Sequence, residues 1–209
     1  MKDIKEIMEL LEEAYPEAGC TLRYSDPLQL LIATILAAQC TDARVNLVTP
    51  TLFKRYPDCN AFAEADAHEL EEYIRSTGFY RNKARNIIEC CKRLKDVYKC
   101  VVPDNMEDLL TLAGVGRKTA NIILGDVYNK PAVVVDTHAK RLSNRIGLSK
   151  HKDPTKIEMD LAKILPPDRS ARFCHQLVYH GRAVCNARNP KCEICVIKEH
   201  CDYYRNLTE

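Results

Sequence analysis

Helical periodicity without interruption constrains this chain most. Ile4, Ile7, Met8, Leu11 and Ala14 fall on one face of a first helix that ends near Pro16. Asp26-Pro27 is an N-cap followed by proline at the first helical position, and Leu28 to Gln39 is apolar on most sides. That pattern predicts a buried central helix. Thr41 or Asp42 caps a helix running to about Tyr56, and Asp66 with Glu69 reads as a capping box stopped at Gly78. Ile87, Ile88, Cys91, Leu94 and Tyr98 mark another helix. Asp104 with Glu107 reads as a second capping box before Leu109. Pro131 leads into the short apolar run Ala132 to Val135. Asp136 then caps a helix ending at Gly147, and Asp153-Pro154 caps one ending before Pro166-Pro167. The last long helix runs from about Arg169 to Val184, with a break allowed at Gly181. No segment sustains the two-residue alternation of a half-buried strand, so the fold class is all-α with short turns.

Composition narrows the function. With 209 residues, 46% apolar, the chain can bury a substantial core in one large or two small domains. A formal net charge of +2 excludes a polycation, so any contact with nucleic acid has to come from local clusters of charge. Eleven cysteines is an odd number for a disulfide framework. The charged N-terminus has no signal-peptide pattern, and the longest apolar run, Leu30 to Ala38, is too short to span a bilayer. The expectation is a cytoplasmic protein with reduced thiols and no membrane role. With no heptad or broad apolar stripe in view, a monomer is expected.

Four of the cysteines stand apart. Cys185, Cys192, Cys195 and Cys201 are spaced C-x6-C-x2-C-x5-C. Four thiolates in so short a segment can enclose one metal centre, and the spacing fits a structural zinc or an iron–sulfur cluster. The segment also carries Arg188 and Lys191, placed to meet phosphate. The bland alternative for these two is a solvated basic surface.

A second motif is the stretch Leu112-Ala113-Gly114-Val115-Gly116-Arg117-Lys118-Thr119-Ala120. Helix, Gly-Val-Gly turn and helix make a helix-hairpin-helix, over about residues 105–128. Gly114 and Gly116 permit backbone conformations closed to other residues. They also leave amides bare, so a phosphate can approach the next helix start around Val115, Gly116 and Arg117. A Gly-x-Gly alone is more often a tight turn; Arg117-Lys118 directly after it favours DNA. Lys118 is either a plain phosphate contact or a nucleophile. An ordinary lysine has a pKa of about 10.4, so only about one in a thousand is a free amine near pH 7.4. A first-turn position and partial burial both favour the neutral amine. Asp136, eighteen residues on, is an N-cap that can also supply a carboxylate helper.

These residues resemble a known family. The hairpin through Asn121, then Val135-Asp136-Thr137-His138, then His180-Gly181-Arg182 leading into the four cysteines, is similar to endonuclease III, from about Pro27 to Cys201. The resemblance implies two helical halves flanking a DNA-binding cleft: a helical barrel, here 21–130, and an iron–sulfur half, here 1–20 plus 131–209. It implies base-excision repair by a bifunctional glycosylase and abasic-site lyase on double-stranded DNA holding oxidised pyrimidines or abasic sites. Carried over, Lys118 is the nucleophile and Asp136 the catalytic carboxylate. Cys185, Cys192, Cys195 and Cys201, in a loop over 185–201, hold a 4Fe–4S cluster. Ala38-Gln39-Cys40-Thr41-Asp42 matches a stretch that fills the gap left by a flipped nucleotide, which makes Gln39 a candidate. Ala113 stands where the family often has proline.

A flipped base leaves a hole, and an exposed apolar side chain can wedge into it. Phe79, in the turn after Gly78 and ahead of Arg81, Lys83 and Arg85, is the candidate; a core aromatic under the turn is the alternative. His138, His180 and His200 read as supporting groups rather than ligands. Two other functions compete. A monofunctional mismatch glycosylase of the same superfamily generally lacks the hairpin lysine, and its adenine branch adds a domain beyond the cysteines. A non-enzymatic DNA-binding module would make Lys118 and Asp136 coincidental.

Overall fold

The computed structural model describes residues 3–208. Met1, Lys2 and Glu209, which the domain boundaries above include, lie outside the described residues. Among the described residues every regular element is helical. In chain order the α-helices are α1 (Ile4–Ala14), α2 (Pro27–Leu36), α3 (Asp42–Arg55), α4 (Cys59–Ala63), α5 (Ala67–Ile74) and α6 (Tyr80–Tyr98). Then come α7 (Met106–Leu109), α8 (Arg117–Asp126), α9 (Thr137–Ile146), α10 (Pro154–Ile164), α11 (Ser170–Ala183) and α12 (Asp202–Thr208). None is long and apolar enough to cross a membrane.

The chain divides into two compact units. One is Cys20–Tyr128; the other joins the residues up to Gly19 with those from Asn129 onward. In the first, α2 is the hub: Leu30, Leu31, Ile32, Ala33 and Leu36 have no exposed surface. A helix apolar on all sides has to be surrounded, and α3, α6 and α8 pack on it. Each fully buried leucine or isoleucine there stabilises the unit by roughly 1.5–3 kcal/mol. Helix α6 buries Ala84, Ile87, Cys91 and Leu94 at helical spacing, against α4 and α5.

In the second unit α1 lies on α11. Arg172 forks onto Glu12, Nε to Oε2 at 2.7 Å and Nη2 to Oε1 at 2.6 Å, and Gln176 Nε2 donates to the same carboxylate at 2.6 Å. The paired guanidinium holds the Glu12 carboxyl below the usual carboxylate range. This clamp ties the N-terminal helix to residues over 150 positions away. Helix α9 packs on α10, α11 and α12.

Local signals differ from expectation in three places. Helix α7 is capped by Asn105, whose Oδ1 accepts from Asp108 N at 2.9 Å, instead of by Asp104. Asp66 does cap α5, but Glu69 turns away to Arg55 (2.6 Å), so no reciprocal box forms. Gly181 does not break α11, which runs on to Ala183. A Cβ there would lie 2.8 Å from His138 Cδ2 and 3.0 Å from Arg141 Nη2. Glycine is needed for close approach of α9, not for flexibility.

Candidate functional site

Three places matter: the hairpin, the N-terminus of α9, and the cysteine segment. In the hairpin, Gly114 has φ +77, which an L side chain rarely adopts. A Cβ there would also meet Asn86 Cβ at 3.0 Å. Gly116 is different. Its φ is −101, open to any residue, and a Cβ built on it meets nothing within 4 Å. Folding therefore does not demand glycine at 116; the open space lies outside the protein, where a ligand can approach. Val115 turns inward, 8% exposed, and its amide closes the turn onto Leu112 O at 3.2 Å. Gly116 caps α8 without a side chain, so the amides of the first turn, at Arg117, Lys118 and Thr119, lack intrahelical acceptors. Such an end attracts anions.

Lys118 stands in that first turn and is exposed. The partial burial expected of it is not found at this side chain.

The open Cβ position at Gly116 yields a clean expectation. In Gly116→Ala, alanine is a poorer cap than glycine, but it also restricts the unfolded chain. These opposed terms are each about 1 kcal/mol or less, so stability changes little. A methyl group between a phosphate and the first-turn amides forfeits charge-assisted hydrogen bonds, each about 1.5–3 kcal/mol. DNA affinity is expected to fall at least ~10-fold while the thermal melt barely moves. An unchanged Kd by fluorescence anisotropy would remove Gly116 from the interface.

Asp136 caps α9 through Oδ1, which accepts from Ala139 N at 2.7 Å. Its Oδ2 lies 3.1 Å from His138 Nδ1. The carboxylate is thus held by both oxygens and only 18% exposed. His138 in turn is packed against Gly181. His138, a supporting group by sequence, acts directly on the carboxylate itself.

Helix α9 also grips the cysteine segment. Arg141 Nη2 donates to Gly181 O and Cys185 O, both at 3.0 Å. One turn later, Arg145 Nη1 donates to Asn186 O at 2.7 Å and Cys185 Sγ at 3.3 Å, and its guanidinium lies 4.6 Å from the Tyr203 ring centroid. Neither arginine belongs to a motif in the sequence. Their spacing of four residues, the same-face signature of a helix, was the available signal.

Cys185, Cys192, Cys195 and Cys201 all line one pocket, together with Pro190, Tyr203 and Tyr204. Among the described residues, no group of three or more His, Cys, Asp or Glu side chains is arranged to hold a single metal ion. Four thiols spread around a cavity suit a multi-atom cluster better than one zinc, an ambiguity that spacing had left open. Burial pushes the Cys195 thiol up to about 11 and raises Cys192, so bonds to iron are what would make thiolates favourable there. His180, 1% exposed, places Nε2 3.3 Å from Cys195 Sγ, and its Nδ1 is 2.8 Å from the Tyr15 hydroxyl. Burial lowers the His180 pKa to about 4, so it stands neutral. The residues fit a 4Fe–4S cluster. When bound, it would supply iron–thiolate bonds that close the 185–201 loop.

Arg188 and Lys191 are exposed on that loop. Gln39 and Phe79 are exposed too, and both have left-handed backbone, φ 53 and φ 49. Phe79, 61% exposed, is not a core aromatic. Of the three basic residues that follow Phe79, Arg81 and Arg85 are exposed and Lys83 is buried.

This hairpin, Gly-Val-Gly leading into α8 within an all-helical set of described residues, is a helix-hairpin-helix. The family model described as HhH-GPD superfamily base excision DNA repair protein matches residues 32–167. The iron–sulfur binding domain of endonuclease III matches residues 185–201, the cysteine segment. Endonuclease III of Synechocystis sp. is 53% identical over 197 residues, 94% of this chain and 90% of that protein. Endonuclease III of Escherichia coli is 38% identical over 201 residues, 95% of this chain and 94% of that one. A solved structure of a trapped endonuclease III–DNA covalent intermediate superposes with a TM-score of 0.92 at 39% identity, covering 99% of this chain and 97% of that one. The chain belongs to the endonuclease III family. It is a bifunctional base-excision repair DNA glycosylase and abasic-site lyase with a 4Fe–4S cluster.

Proposed function

We propose that this enzyme acts, as a monomer, on double-stranded DNA that carries oxidised pyrimidines or abasic sites, with Lys118 as its nucleophile. The carrying observation is Lys118 in the first turn of α8, two residues after Gly116, whose Cβ position opens onto free space. The hairpin amides and Arg117 hold the backbone, with Arg188 and Lys191 adding phosphate contacts from the cysteine loop. None of these contacts reads sequence. Phe79 enters the stack beside the extruded nucleotide and Gln39 fills its place.

The lone pair of Lys118 Nζ attacks C1′, and the C1′–N bond to the base breaks. The base leaves with that electron pair and takes up a proton. Opening of the sugar ring turns the adduct into a protonated imine, which acidifies the C2′ proton. Loss of that proton expels the 3′ phosphate and cleaves the strand. Asp136 accepts a proton or stabilises positive charge developing on the sugar.

The test is a set of duplexes, each with one lesion: an oxidised pyrimidine, an abasic site, a mismatched base or an alkylated purine. Excision with strand scission is expected on the first and scission on the second, each with a borohydride-trapped adduct. Release of mismatched or alkylated bases without scission would overturn the proposed substrate class and nucleophile.

A further inference from the structure

Lys83 is a buried cation that this chemistry leaves unused. It is 4% exposed, and its Nζ donates to Leu36 O at 2.7 Å and Thr77 O at 2.8 Å. Leu36 is the last residue of α2, and Thr77 the last of a 3-10 turn over Arg75–Thr77. Carbonyls at helix C-termini have no intrahelical donor and carry the negative end of the dipole, which makes an ammonium a fitting partner. The backbone N–H of Lys83 also donates to Phe79 O at 3.1 Å, so one residue brackets the turn that carries Phe79.

The two segments leaving these carbonyls share a further feature. Each contains an exposed non-glycine residue with positive φ: Gln39 three residues after Leu36, and Phe79 two after Thr77. Left-handed backbone at such residues costs free energy and persists where the surroundings over-determine it. Lys83 reaches both segments at once.

We propose that Lys83 is a positioning residue for base extrusion, clamping the Leu36 and Thr77 carbonyls so that Gln39 and Phe79 are set for the DNA stack before DNA arrives. The inference rests on the reading of Gln39 and Phe79 given above. Ordering of the two strained turns is completed on folding, so it is not repeated at each encounter with a lesion.

The experiment uses the full chain with Lys83→Met, which keeps the stem and removes the donors. Two substrates are compared: a duplex with one oxidised pyrimidine, and a single strand with one abasic site, which has no stack to open. Duplex excision is expected to slow by about 10- to 100-fold, and single-strand scission by less than ~3-fold. The fluorescence rise of a 2-aminopurine beside the lesion is expected to be lost. Equal losses on both substrates, or an unchanged duplex rate, would overturn the proposal. Phe79→Ala and Gln39→Ala run alongside. If neither slows duplex excision, the reading of the two turns fails; if they do and Lys83→Met does not, only the clamp fails. In Lys83→Met/Phe79→Ala the two effects combine to less than their product. Should Lys83→Met not fold, Lys83→Leu, which also has no donor, carries the same comparison, and a wild-type duplex-to-single-strand ratio overturns the clamp.

Discussion

Lys118→Gln is expected to abolish strand scission and borohydride trapping on a duplex with one abasic site, while the protein still binds that duplex. Glutamine has nearly the reach of lysine, but its amide nitrogen has no available lone pair, so no bond to C1′ forms. Removal of a covalent nucleophile costs on the order of a thousandfold or more in rate. The lost charge is one among several phosphate contacts and lowers the salt slope by about one. The exposure of Lys118 on α8 argues that folding is untouched. Equal trapping by wild type and Lys118→Gln would move the nucleophile elsewhere. Loss of binding with the adduct would make Lys118 a phosphate contact only.

Asp136→Asn is expected to separate two jobs held by one side chain. Asparagine caps a helix about as well as aspartate, so the bond to Ala139 N survives and stability changes by less than about 1 kcal/mol. The negative charge is lost. If Asp136 accepts a proton or stabilises a cationic sugar, single-turnover excision falls by roughly 10²- to 10⁴-fold. A pure capping role predicts the reverse: near-normal excision in Asp136→Asn, and a large loss of stability only in Asp136→Ala. Thermal melts beside single-turnover rates decide between them.

The helices were legible because their signals are local. The caps at Asp26, Thr41, Asp136 and Asp153 and the stop at Gly147 stand as expected, since each is a hydrogen bond or a backbone angle within a few residues; α5 ends earlier, at Ile74, and Gly78 closes the 3-10 turn that follows. Failures arose where a distant residue outbid the local choice. Glu69 goes to Arg55 instead of its own cap, and Gly181 serves a neighbouring helix instead of a break. Nothing local marks Lys83 as buried; two orphan carbonyls over forty residues of chain apart from each other draw it inside.

By itself, the sequence determined an all-helical chain, a Gly-x-Gly hairpin followed by a basic pair, and a four-cysteine loop. Each of these is a matter of period, backbone freedom or short spacing, carried by contiguous residues. Only the tertiary structure decided which side chains support them. Arg141 and Arg145 hold the cysteine loop from α9. Tyr15 meets His180 across 165 residues, and His138 reaches back to Asp136 in the space that Gly181 leaves open. The physical reason is packing. A buried polar group must find a partner, and which partner comes within 3 Å is set by how helices stack, not by neighbours along the chain.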